Sequence, residues 1–288
     1  MVGTRCAAIV TLLFGLMHVA TPAISARSQR MFYHFHLHKC AGTRMCKEAR
    51  FRNETVIRGA NCNDGGDGPA RRRSRVGGLY NEHWRCQERV QLYKELNITY
   101  FQTETLFNRQ MLECADDIFF AVTLREPLSR VVSHIRYDAA FIKDGIQHFR
   151  NASFTNMPRE ITIHGSAVVS NYYIRSLLGS AVFHLPLGRI TSTHLAQAKA
   201  VLDDSLVLIL EDVAGREALL ECYADWIRAP HEEKPQLRDN KTKGKLGTFK
   251  QQHLDNAWSA KLLELNALDL ELYDYAKGVS RLQLANCN

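Results

Sequence analysis

The stretch HFHLHKCAGTRM, residues 34–45, holds a dense set of groups that can do chemistry. Three histidines, His34, His36 and His38, alternate with apolar residues and run into Lys39, Cys40, Ala41, Gly42, Thr43 and Arg44. A strand, this loop and a helix beginning in RMCKEARF would together form an anion cradle. A helix N-terminus offers unpaired N–H groups and positive partial charge. Gly42 would let the backbone approach an anion closely, Lys39 would bring a full charge, and Thr43 a hydroxyl. The order is not that of the GxxxxGK[ST] nucleotide loop, because the lysine precedes the glycine. That counts against an ATPase, a GTPase or a nucleotide-binding kinase. On a strand the three histidines share one face, with neighbours about 6.5–7 Å apart. No further metal ligand is evident beside them, so they read first as structural groups, then as substrate contacts, and no metal is expected.

A second constellation is FFAVTLREPLSRVVSHIRY, residues 119–137. A continuous apolar run reads as a buried strand ending at Leu124. Arg125 stands where the chain leaves it, Pro127 opens a helix, and Arg130 and Ser133 follow at helical spacing. Parallel-sheet proteins bind ligands at the carboxyl ends of their strands. An arginine there and a serine on the following helix can clamp a phosphate by a charge-assisted fork and a hydroxyl.

The elements that must position these groups follow from the pattern. RMFYHFHLH (30–38), ITYFQTETLF (98–107), DIFFAVTLRE (117–126) and SLVLILED (205–212) read as strands. Helical stretches separate them, including VQLYKELN, SAVVSNYYIRSLLG, STHLAQAKAVLDD and VAGREALLECYADWI. A long helix or helix pair closes the chain. Residues 59–78, rich in Gly, Asp and Arg, read as a loop without structure of its own. Strands followed by helices, repeated, predict a single α/β domain with a mainly parallel central sheet flanked by helices.

Composition sets the setting. The 288 residues are 45% hydrophobic and 23% charged, as in ordinary globular chains, and the net charge of +7 favours acidic partners. Arg5, an apolar run from Cys6 to Ala20 and the small residues of TPAISA describe a secretory leader over residues 1–26, cleaved or retained as a type II anchor. Residues 27–288 then form the folded domain. Sequons occur at Asn53, Asn97, Asn151 and Asn240. Outside the leader there are seven cysteines with no CxxC spacing, so disulfides are expected and at least one thiol stays free or pairs between chains.

HLHKCAGTRM resembles the 5′-phosphosulfate loop of sulfotransferases, and VTLREPLSRVVSHIRY resembles their 3′-phosphate motif. The resemblance is nearest to Golgi carbohydrate sulfotransferases of the heparan sulfate 2-O-sulfotransferase type and runs over roughly residues 31–280. Three departures stand out: His38 where a proline is usual, Cys40 in the loop, and Glu126 in place of aspartate. The resemblance implies a P-loop-like sulfotransferase fold and 3′-phosphoadenosine 5′-phosphosulfate as co-substrate, with no metal. Lys39, Ala41, Gly42, Thr43 and Arg44 would hold its 5′ side, with Lys39 also neutralising charge on the bridging oxygen. Arg125 and Ser133 would hold the 3′-phosphate. Lys241, Lys243 and Lys245 fall where family members close a loop over the nucleotide, and RRRSR (71–75) would suit a polyanionic glycan. The acceptor would be a glycan, anionic or neutral, and not a nucleic acid. The location implied is the Golgi lumen, or secretion.

A base must take the acceptor's proton. Glu104 occupies the strand where 2-O-type enzymes carry a histidine, and its Thr and apolar neighbours predict a raised pKa. His83 in YNEHWR, and His36 or His38, are the alternatives. Two other readings share the fold: a sulfotransferase for protein tyrosine or a small molecule, and a glycan-binding protein without turnover.

Overall fold

A computed structural model describes residues 30–57, 61–63, 85–104, 106–139, 165–226 and 256–287. The leader, the RRRSR tract, His83 and the lysines at 241, 243 and 245 lie outside the described residues.

Four strands form one all-parallel sheet: β1 (Met31–His36), β2 (Tyr100–Glu104), β3 (Ile118–Leu124) and β4 (Leu206–Ile209). Their order is β2-β1-β3-β4, with β1 and β3 in the middle. Helices cover both faces, which is why every residue of β1 is buried although its sequence alternates apolar and polar. On one face, Phe32, Tyr100 and Phe119 pack with helix α1 (Gly42–Phe51), and Trp226 stacks on Phe32 at 5.1 Å. On the other, Tyr33, Phe35, Phe101 and Phe120 pack with α2 (Cys86–Glu95) and the closing helix Ala267–Ala285. Each buried aromatic contributes roughly 1.5–3 kcal/mol.

The strand order fixes where a ligand crevice forms. From β1 the chain crosses to β2 on one side, then returns past β1 to β3 and onward to β4. The loops after β1 and β3 therefore lead away in opposite senses at the carboxyl edge, at a topological switch point. Lys39 follows β1 and Arg125 follows β3.

Three disulfides staple the described residues: Cys46–Cys62, Cys86–Cys114 and Cys222–Cys287. Their sequence separations are 16, 28 and 65 residues. Loops of such lengths correspond to about 3–4 kcal/mol of stabilisation each. Cys40 is the free thiol that the odd count required, and it is buried. The disulfides point to an oxidising compartment, extracellular or secretory. Asn53 and Asn97 are exposed, while the other two sequons lie outside the described residues. No helix among the described residues is long and apolar enough to cross a membrane.

Two local expectations change. The segment read as a structureless loop includes Asn61–Asn63, which is held along β2: Asn63 bridges to Gln102, and the Gln102 N–H donates to the Cys62 carbonyl at 3.1 Å. SAVVSNYYIRSLLG is not one helix but a 3-10 turn, Gly165–Val169, and a helix, Tyr172–Leu177. The break is tertiary. Asn171 is left-handed at φ 46°, its N–H donates to Asn266 Oδ1, and its Oδ1 accepts from the Asp269 N–H. The Asp269 carboxylate in turn accepts the N–H groups of Tyr173 and Ile174, at 2.8 and 3.1 Å. Burial nevertheless pushes the Asp269 carboxyl up to about 6. The end of the chain is a helix pair, Asn256–Leu265 and Ala267–Ala285, divided at Asn266.

Candidate functional site

The loop after β1 is short and strained. Leu37 and Cys40 are fully buried and anchor it, and the Cys40 N–H donates to the Leu37 carbonyl at 2.8 Å. Between and after them, Lys39 and Ala41 adopt left-handed backbone, φ 71° and 67°. A non-glycine residue there costs on the order of 1–2 kcal/mol. Such strain persists where the surroundings over-determine it, and it clusters at ligand sites. Helix α1 begins directly at Gly42, with no side-chain cap and no acidic residue in its first turn. Its positive end therefore faces the carboxyl edge with nothing of its own to neutralise it. Arg44 adds charge there, and its charge acts with burial to lower the pKa of Arg216, whose guanidinium donates to the Leu210 carbonyl.

Gly42 has a reason for being glycine that needs no ligand. A Cβ at this position would collide with the His36 imidazole, which occupies that space. The Thr43 hydroxyl donates to Asn61 Oδ1 at 2.8 Å, so it is already engaged. The Cys40 Sγ lies 3.7 Å from the Tyr173 hydroxyl, and burial pushes its thiol up to about 12. Cys40 is a packed thiol and not a nucleophile.

Beside this loop stands a titratable cluster. Parallel register sets His36 of β1 opposite Glu104 of β2. Glu104 Oε1 lies 3.6 Å from His36 Nε2 and 3.3 Å from His38 Nε2, and Oε2 accepts from Asn63 Nδ2 at 3.2 Å. His38 Nδ1 is 2.7 Å from His134 Nε2, and His134 Nδ1 is 3.1 Å from an Arg130 guanidinium nitrogen. Arg130 is itself buried, donates to the Val168 carbonyl, and lies 4.3 Å over the Tyr172 ring.

The expected raised pKa of Glu104 is overturned. Burial does push it up, but the nearness of the His36 and His38 imidazoles and the hydrogen bonds from His36 and Asn63 outweigh burial and bring it down to about 2. The sequence neighbours were apolar; the spatial neighbours are donors. His34 differs from His36 and His38. Its Nε2 meets Thr123 Oγ1 at 2.8 Å and its Nδ1 meets Gln102 Oε1 at 3.1 Å. Burial, aided by the charge of His36, lowers it to about 3. It is a neutral structural histidine.

On the neighbouring strand end, Arg125 is held through its backbone: its carbonyl accepts from the Tyr173 hydroxyl at 2.6 Å. Its side chain is 29% exposed, with Glu211 Oε1 at 4.0 Å from Nε, so the guanidinium stays accessible at the crevice. Glu126 caps helix α3 (Pro127–Ala139) by accepting from the N–H groups of Leu128 and Ser129. Ser133 is half-buried on the same helix.

Lys39, Ala41, Gly42, Thr43 and Arg44 are thus together at the end of β1, with Arg125 at the end of β3 and Glu104 at the end of β2. His134, Asn61, Asn63 and Arg216 were not anticipated. His134 directly follows Ser133, and Cys62 between the two asparagines hinted that this stretch is tied down. Arg216 carried no sequence signal. Among the described residues, no group of three or more His, Cys, Asp or Glu is disposed to hold a metal ion. No protein-family model matches the chain, and no curated protein matches it significantly.

Proposed function

We propose that the protein is a sulfotransferase that moves a sulfuryl group from 3′-phosphoadenosine 5′-phosphosulfate to a hydroxyl of a carbohydrate, a glycan in the Golgi lumen or outside the cell. One observation carries this reading. Two cationic strand-end loops, with Lys39 and Arg125, flank the switch point of a parallel sheet, and the carboxylate of Glu104 stands among histidines at the next strand end. A nucleotide with phosphates at both its 3′ and 5′ positions needs two such cradles side by side. Lys39, the α1 N-terminus and Arg44 would take the 5′ side, and Arg125 with Ser133 the 3′-phosphate.

The acceptor oxygen attacks sulfur, the bond from sulfur to the bridging oxygen breaks, and 3′-phosphoadenosine 5′-phosphate leaves. Lys39 offsets the charge that builds on the bridging oxygen. The acceptor proton goes to a Glu104 oxygen. A carboxylate with a pKa near 2 is a weak base, yet it suffices here. By analogy with loose phosphoryl transfer, the bond to the bridging oxygen breaks ahead of the new one, and the acceptor oxygen keeps its proton until its late bond to sulfur makes that proton strongly acidic.

Two measurements test the reading. Calorimetry with 3′-phosphoadenosine 5′-phosphate should show binding, and its absence sinks the proposal. Labelled donor offered with a panel of glycans, a tyrosine peptide and small phenols should label a glycan. Label on the peptide or phenol would move the assignment to another acceptor class. Nucleotide binding with no turnover on any acceptor would favour the glycan-binding reading.

A further inference from the structure

A guanidinium at the end of a hydrogen-bond chain removes the ambiguity of the histidines in it. Arg130 carries only donors, so the atom it faces at 3.1 Å, His134 Nδ1, accepts. His134 then keeps its proton on Nε2 and donates it to His38 Nδ1 at 2.7 Å. His38 Nδ1 accepts, so the His38 proton is on Nε2, which faces Glu104 Oε1 at 3.3 Å. Every bond in the chain points the same way, from Arg130 toward the Glu104 carboxylate.

The chain cannot be reversed without making a guanidinium accept. Protonating His134 would set an N–H against an N–H and one cation against another. Arg130 cannot turn aside, because the Val168 carbonyl and the Tyr172 ring hold it in a buried seat. The charged and titratable groups around His38 come from three directions: His36 and Lys39 on its own segment, Glu104 on β2, and His134 with Arg130 on α3.

We infer that Arg130 and His134 are positioning residues that lock His38 in the Nε2–H form, so that His38 is a donor to Glu104 and Glu104, not His38, receives the acceptor proton. Only the last clause rests on the proposed function. The lock itself is a property of the folded chain. His38 Nδ1 is occupied by the His134 proton, so no lone pair on His38 remains to take another while the chain is intact. His38 instead supplies a fixed hydrogen bond that holds the carboxylate in one rotamer facing the crevice.

The lock is read directly from the histidine ring nitrogens of the ¹⁵N-labelled full chain, by long-range proton–nitrogen correlation near neutral pH. His38 should show a protonated Nε2 and a bare Nδ1. A proton on Nδ1, or a rapidly averaged ring, overturns the lock without any variant. His134→Phe keeps the ring volume and removes both hydrogen-bonding atoms, so His38 should become a tautomer mixture. His134→Gln restores one acceptor and one donor and should recover the single form. An unchanged His38 spectrum in His134→Phe overturns the assigned role of His134. Should that variant not fold, the unaltered chain and His134→Gln still decide. With turnover in hand, activity should fall by less than about twofold from pH 7.5 to 5.5, whereas a free histidine base near 6.5 would lose about tenfold. A tenfold loss there overturns Glu104 as the proton's destination. With no turnover in the unaltered chain the proposed function fails, and the ring spectra alone decide the lock.

Discussion

His34 and His38 leave the same strand, four residues apart, yet they sit in opposite kinds of network. His34 is sealed between strands, with Thr123 on one side and Gln102 and Tyr100 on the other, all neutral. His38 stands past the strand end, between a guanidinium relayed through His134 and a carboxylate. The first network is neutral throughout, with Gln102 donating onward to the Gly42 and Asn61 carbonyls, and it stiffens the sheet. The second has a direction and ends at a half-buried carboxylate, 23% exposed, which a ligand can reach. Residue type did not separate the two roles. The partners did, and these come from β2, β3 and α3.

The largest effect should come from removing the charge at the end of the directed network. Glu104→Gln keeps the shape and one acceptor oxygen, enough for His38 or Asn63 but not for both as they now donate, while losing the proton acceptor. Turnover should fall about 10²–10⁴-fold with nucleotide affinity nearly intact. Equal loss of both would make Glu104 a structural residue like His34 and erase the contrast. Next come the cationic strand ends. Lys39→Ala and Arg125→Ala should each weaken binding of 3′-phosphoadenosine 5′-phosphate by about 2–4 kcal/mol, read by calorimetry. Unchanged affinity in both would remove the nucleotide from the crevice.

The neutral network should reveal itself through acid. His34 is held at about 3 by burial. Its ordinary value in an unfolded chain is near 6.5, so the unfolded state binds the extra proton first. The stability it contributes is complete above that value and is lost as pH falls from about 6.5 toward 3. Between pH 7.5 and 5.5 the loss is about 1.4 kcal/mol, measurable by urea unfolding. Glu104, lowered to about 2, adds its own loss only in a more acidic window, below about 4.5. His34→Gln should flatten the first slope and leave the second. An unaltered first slope would mean that His34 is not the group responsible.

Much of the architecture was legible because it depends on local pattern. The run IFFAVTL could only be a strand covered on both faces, and Pro127 after Glu126 marked the helix start. The two cradles were visible for the same reason, since each is a continuous strand–loop–helix. What was not legible depends on pairing at long range. His38 and His134 are 96 residues apart, and Glu104 meets His36 only through the β1–β2 register. Glu104 was therefore expected to have a raised pKa from its apolar sequence neighbours, when its spatial neighbours lower it. Asn61 and Asn63 lay hidden in a Gly- and Asp-rich segment, where a disulfide from Cys62 to α1 and backbone pairing with Gln102 of β2, not composition, hold residues 61–63.

The smallest effect tests whether the loop between the two histidine environments stores strain. Ala41 is the residue before α1 and sits at φ 67° and ψ 23°. Alanine pays on the order of 1–2 kcal/mol there, while glycine adopts it freely. Glycine also makes the unfolded chain more flexible, which costs about 0.4–1 kcal/mol of stability. The two effects oppose, and relief of strain is the larger. Ala41→Gly should therefore stabilise the protein by roughly 0.5–1 kcal/mol, a rise of about 1–4 °C in melting temperature. Its backbone N–H and carbonyl are unchanged, so the turn into α1 keeps its hydrogen bonds to Arg44 and Met45. A lower melting temperature would show that the left-handed turn is unstrained, and that the sealed His34 network and the loop beside His38 differ in their partners alone.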